Sequence, residues 1–229
     1  MNEINKYFQN VWSNKDQSTF IKNLIGNCWV TENEIDTLFE ILNRKSDDTA
    51  CIVYKPDKDT NKNLKASINR LLCSEQKHRI LLALNVGRDI NGTFVTDTSR
   101  MGNHWTLLAL DIQNQTGFYG DSLGWQIPIN LMDSVKHIFC GIDKYVILPI
   151  NSTRTHGVQH FYPVQSCSHM CGVIVMCMSV IMCEAWDDWY TWNENKAPAI
   201  LHNPSEYSRH LRLKVISWLV KDSVDQRVR

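Results

Sequence analysis

Gln165-Ser-Cys-Ser-His-Met-Cys171-Gly172, followed by the uncharged run Val173-Ile-Val-Met-Cys-Met-Ser-Val-Ile-Met182, is the stretch on which the reading of this chain turns. The run after Cys171 is too short to cross a bilayer and reads as a buried core helix. A cysteine at a helix N-terminus meets unsatisfied backbone N–H groups and the positive end of the macrodipole, and both favour a thiolate. Gly172 lets the helix start, and a substrate approach, without a clashing side chain. Gln165 stands six positions upstream, near enough to set its amide beside the sulfur.

Working outward, His104-Trp105 lies on an apolar, strand-like stretch, and Asp121 follows a second one. Only the thiolate is a strong nucleophile, and a neighbouring imidazole can take its proton and later return it to the leaving amine. A carboxylate must hold that imidazole in one tautomer, a task that falls to Asp121 toward His104. Gln165 and the backbone N–H of Cys171 would together receive the oxyanion, each such donor being worth about 3–4 kcal/mol. Singly these residues have ordinary explanations. A buried cysteine is usually a small hydrophobe, a histidine before tryptophan can be structural, and Asp121 before Ser-Leu-Gly can begin a turn. Together, and in the order His, Asp, Gln, Cys, they are the parts of a thiol protease.

The rest of the chain sets the frame. Its 229 residues suit one compact domain, expected over 28–229 and preceded by an N-terminal arm over 1–27. Apolar residues make up 43% and charged residues 21%, with Lys+Arg and Asp+Glu both at 24. The zero formal charge gives no compositional case for nucleic acid or an anionic membrane as partner. Met1-Asn-Glu-Ile-Asn-Lys6 lacks the basic start and apolar run of an export signal, so an intracellular protein is expected. Its eight cysteines then read as reduced thiols. Cys167-Ser-His-Met-Cys171 lacks the ligand spacing of zinc modules, and neither a metal nor a cofactor is expected.

Local patterns supply the elements. Thr31-Glu-Asn-Glu34 is a capping box before Ile35, Leu38, Phe39 and Leu42 at helical spacing. Strands are expected at 51–55, 79–86, 105–112, 117–120 and 144–150, the third and fourth joined by a turn at Gln113–Thr116. Helices are expected at 64–73 and 131–139, from Cys171, and from Pro204. The last should turn Tyr207, Leu211, Val215 and Leu219 inward and leave Arg209, Arg212 and Lys214 in solvent. The cluster Trp186–Trp192 reads as packing at the core edge.

On these residues the chain resembles the Ulp1/sentrin-specific cysteine proteases, which process ubiquitin-like proteins. The likeness rests on Cys28-Trp-Val-Thr-Glu-Asn-Glu-Ile-Asp36, His104-Trp105, Gly120-Asp-Ser-Leu-Gly124, and Gln165 through Gly172-Val-Ile-Val175. It covers roughly residues 28 to 220. It implies an α+β fold, the Ulp1 type of the papain-like superfold, with a mixed central sheet packed on the helix that carries the nucleophile. It implies Cys171 as nucleophile, His104 as base, Asp121 as orienting acid and Gln165 as oxyanion donor. Trp105 and Trp29 would wall a tunnel that a glycine-only tail can thread and any side chain would block. The implied partners are a ubiquitin-like protein (SUMO, NEDD8 or ubiquitin) and its conjugates. A pathogen effector of this kind would act in the host cytoplasm. Two positions depart from the family: Met170 replaces an acidic residue before the nucleophile, and Cys167 replaces an asparagine.

Other chemistries fit less well. Papain-like proteases place their cysteine before the histidine, the reverse of the order here. A deubiquitinase on the same scaffold differs little in sequence. A related acetyltransferase would need a basic pocket for the phosphates of coenzyme A, and none is visible. A degenerate binding module of the same fold would not need all four catalytic residue types.

Overall fold

The computed structural model describes residues 23–26, 29–54, 70, 77–88, 94–95, 104–123, 146–149, 170–184 and 204–228. The expected helices at 64–73 and 131–139, the tryptophan cluster, Gln165 and nearly all of the N-terminal arm lie outside these residues.

Helix α1, Glu32–Lys45, starts at the foreseen capping box. The Thr31 backbone N–H donates to Glu34 Oε2 at 2.7 Å, and the Thr31 hydroxyl binds the same oxygen. Glu34 also accepts from Asn23 Nδ2 at 2.8 Å, which ties the segment before the helix to its first turn. Acids in the first turn and Arg44 and Lys45 in the last complement the helix dipole.

Strands β1 (Thr49–Tyr54), β2 (Arg79–Arg88), β3 (Phe94–Val95), β4 (His104–Asp111), β5 (Thr116–Gly120) and β6 (Val146–Pro149) form one sheet. Its order is β1-β2-β4-β5-β6, with β3 paired to β2. The outer pairs β1·β2 and β5·β6 are parallel, and the inner pairs β2·β4 and β4·β5 are antiparallel, so the sheet is mixed. The β4–β5 hairpin turns through Gln115, which takes the left-handed conformation at φ 50°. Asp111 steadies that turn by accepting from the backbone and side-chain nitrogens of Asn114.

Register explains which side chains form the core. Cys51 pairs with Leu81 and Leu81 with Ala109; Val53 pairs with Ala83 and Ala83 with Leu107. This row, continued by Trp105, forms one sheet face of the hydrophobic core. Against it lie helix α2, Cys171–Glu184, and the inward sides of α1 and of helix α3, Pro204–Val228. Residues Cys171 to Met182 of α2 are all buried. A helix that is apolar all round must be enclosed, and α2 touches β4, α1 and α3. Among the described residues no helix is long and apolar enough to cross a membrane.

The charge pattern of α3 misplaces Arg212 and only partly foresees Lys214. Leu211, Val215 and Leu219 point inward as expected and Arg209 is exposed, but Arg212 is only 4% exposed. Its Nη1 donates to the carbonyls of Asn23 and Leu24 at 3.2 and 3.1 Å. The guanidinium satisfies backbone acceptors that the preceding segment leaves over, and so staples that segment to α3. Lys214, also expected in solvent, is half-buried and reaches Glu184 at 3.5 Å.

Candidate active site

Sheet and helix ends converge on three polar side chains. His104 is the first residue of β4, Asp121 directly follows β5, and Cys171 is the first residue of α2. The hairpin register pairs Leu107 with Gly120. One step further it would set Asp121 opposite Thr106, which shares a sheet face with His104 because side chains alternate along a strand. His104 Nε2 and Asp121 Oδ1 are 2.9 Å apart, and both side chains are buried.

Asp121 both meets His104 and begins a turn. Its Oδ1 accepts the Leu123 backbone N–H at 2.8 Å, and its Oδ2 faces the Tyr119 hydroxyl at 3.4 Å. Three groups thus hold the carboxylate in place. Tyr119 drew no attention in the sequence, although its place two residues before Asp121 puts both on one face of the strand.

The second partner of the imidazole is Cys171, whose hydrogen bond and charge raise the basicity of His104. With Nε2 directed at Asp121, Nδ1 is the nitrogen left for the sulfur. Burial is the largest influence on the ring and favours its neutral form. The hydrogen bonds to Asp121 and Cys171, with the charges of both, outweigh it and hold the pKa up at about 9, against an ordinary 6.5. A ring held between an acid and a thiol in this way can accept the thiol proton.

The N-terminus of α2 is built tightly. The Ile174 N–H donates to the Met170 carbonyl at 2.9 Å, which makes Met170 the N-cap and Cys171 the first helical residue. Met170 is fully buried, and an acid at that position would need a partner for its charge. A Cβ added to Gly172 would stand 2.8 Å from Val30 Cβ and 3.3 Å from Trp105 Cδ1. The space at Gly172 is therefore filled by protein. The missing side chain lets Val30 and Trp105 seat the helix start.

Of the two tryptophans, Trp105 is packed into the core at 5% exposure, whereas Trp29 is open at 45%. Deeper in α2, burial pushes the pKa of Cys177 up to about 12. Gln165 and Cys167 fall outside the described residues.

No family model matches the chain, and no curated protein does. Solved structures do. The chain is similar to SUMO protease Ulp1 with its catalytic cysteine oxidised to a sulfinic acid, at 14% identity and a TM-score of 0.51, over 90% of this chain and 84% of that one. It is similar to a de-sumoylating protease at 15% identity and a TM-score of 0.49, over 92% and 91% of the two chains. A third likeness is to the Chlamydia trachomatis effector ChlaDUB1, at 12% identity and a TM-score of 0.44, over 95% and 91%. The fold is thus α+β and of the Ulp1 cysteine protease type, as the sequence motifs implied.

Proposed function

We propose that this chain is a cysteine peptidase that cleaves after the C-terminal Gly-Gly of a ubiquitin-like modifier such as SUMO or NEDD8. The observation that carries the reading is the position of His104, hydrogen-bonded to Asp121 at 2.9 Å and near enough to Cys171 for that thiol to raise its basicity. In this reading the Cys171 sulfur attacks the carbonyl carbon of the terminal glycine and His104 holds the thiol proton. The tetrahedral intermediate collapses to a thioester as His104 protonates the departing amine. Water, activated by the same imidazole, then releases the modifier.

Gln165 is assigned the oxyanion, together with the Cys171 backbone N–H. Trp29, with its exposed indole, is assigned one wall of the passage for the glycine tail, and Trp105 the other. The modifier class is supported by the residues shared with the Ulp1/sentrin-specific family and by the likeness of fold to a SUMO protease.

Turnover of C-terminal fluorogenic amides of SUMO, NEDD8 and ubiquitin tests the proposal. One of the three should be hydrolysed by the native chain and untouched by Cys171→Ala. Equal hydrolysis by the two proteins, or none of any amide by the native chain, would refute it. Loss in Cys167→Ala with activity kept in Cys171→Ala would move the nucleophile to the other thiol.

A further inference from the structure

The described cysteines other than Cys171 include a pair that the proposed reaction does not use. Cys51, in β1, and Cys183, in the last turn of α2, hold their sulfurs 3.6 Å apart although 132 positions separate them in sequence. A disulfide needs about 2.05 Å, so a shift of roughly 1.5 Å shared between two side chains would close the bond. Both are free thiols. We propose that Cys51 and Cys183 form an oxidisable dithiol site, which takes a low-molecular-weight disulfide such as oxidised glutathione and becomes an intrachain disulfide tying α2 to β1.

The surroundings set the order of events. Cys51 is 2% exposed, whereas Cys183 is partly open, so an external reagent meets Cys183 first. The Cys183 thiolate attacks the reagent disulfide, forming a mixed disulfide and releasing one glutathione thiolate. Cys51 then attacks the Cys183 sulfur, its proton passes to solvent, and the second glutathione leaves. Two protein thiols are oxidised and one glutathione disulfide is reduced to two thiols.

Cys51 resolves the intermediate through its position beside Cys183, although its burial disfavours the thiolate. Asn43 grips its backbone from both sides, accepting from the Cys51 N–H at 2.7 Å and donating to its carbonyl at 2.8 Å. Burial and the neighbouring Cys183 raise the Cys51 thiol well above its ordinary range, and the ammonium of Lys77 acts in the opposite direction. That ammonium is held nearby by the Thr49 carbonyl at 3.2 Å. Cys183 lies twelve residues from Cys171 along α2, about 18 Å at helical rise, so the bridge forms away from the proposed nucleophile.

The test uses the full chain in the native state, as wild type, Cys171→Ala and Cys183→Ser. Each is incubated with oxidised glutathione, quenched by alkylation and digested without reduction. A Cys51–Cys183 linked peptide is expected in the first two proteins, with a rise in thermal midpoint of about 5 °C or more that Cys183→Ser lacks. The proposal is overturned if Cys183 stays as the glutathione adduct while Cys51 remains alkylatable, or if the linked peptide arises only under denaturing conditions. Should Cys183→Ser fail to fold, the linked peptide in wild type still decides. Neither readout depends on proteolysis, so a failure of the peptidase reading would leave this result standing.

Discussion

His104 Nε2 lies 2.9 Å from Asp121 Oδ1, and the same carboxylate oxygen receives the Leu123 backbone N–H. The carboxylate is thus held by the chain itself as well as by the ring. Asp121→Asn keeps the shape but removes the charge that fixes the tautomer. It should lower turnover by about 10³-fold or more with little change in KM. Comparison of kcat and KM on the responsive fluorogenic amide checks this; a loss confined to KM would contradict the role.

The raised pKa of His104 has a sign that can be followed. The folded protein holds the imidazolium up to about pH 9, whereas the unfolded chain releases its proton near 6.5. Its stabilisation is therefore complete below about pH 6.5 and disappears as pH rises through about 9, amounting to on the order of 3 kcal/mol. Thermal midpoints measured from pH 6 to 10 should fall across that window in wild type and fall less in His104→Gln. In Cys171→Ala, which removes two of the influences that raise the pKa, the His104 imidazole followed by NMR should titrate at lower pH.

At Gly172 the added methyl of an alanine would press on Val30 Cβ at 2.8 Å, and a Cβ cannot swing aside. Gly172→Ala should cost about 1–3 kcal/mol of stability, because an overpacked core must shift backbone to relieve itself. Moving the first turn of α2 also moves Cys171, so turnover should fall together with the thermal midpoint. An unchanged midpoint would show that the site has slack the packing does not suggest.

Much of this was legible because it is local. The capping box at Thr31 and Glu34, the hairpin between β4 and β5 and the all-apolar α2 are each written within a few consecutive residues, and each formed where expected. Arg212 was misread because its place among polar neighbours on α3 signals solvent. What buries it is a pair of carbonyls 188 and 189 positions away. Lys77 is buried by the same kind of distant backbone acceptor. It sits in the polar run Ser74-Glu-Gln-Lys77, yet it is buried with Nζ bonded to the carbonyls of Asn43 in the last turn of α1, Ser46 just past it and Thr49 at the start of β1. No periodicity reports a backbone acceptor that needs a donor. The juxtaposition of His104 and Asp121 was legible in the choice of residue types, but the packing beside Gly172 was not, since spacing cannot say which neighbours fill the room a glycine leaves.

The oxyanion assignment makes a separable prediction. Gln165→Ala should reduce kcat about a hundredfold or more while KM stays nearly constant, as the loss of a donor used only in the transition state requires. A matching rise in KM would assign Gln165 to substrate binding instead.

The most direct measurement is to incubate the native chain with ubiquitin-like modifiers whose C-terminal glycine carries a thiol-reactive electrophile, and to locate the adduct by peptide mass. The account predicts one adduct, on Cys171, abolished in Cys171→Ala and strongly slowed in His104→Gln. An adduct on any other cysteine, or labelling of Cys171 at an undiminished rate without His104, would contradict it.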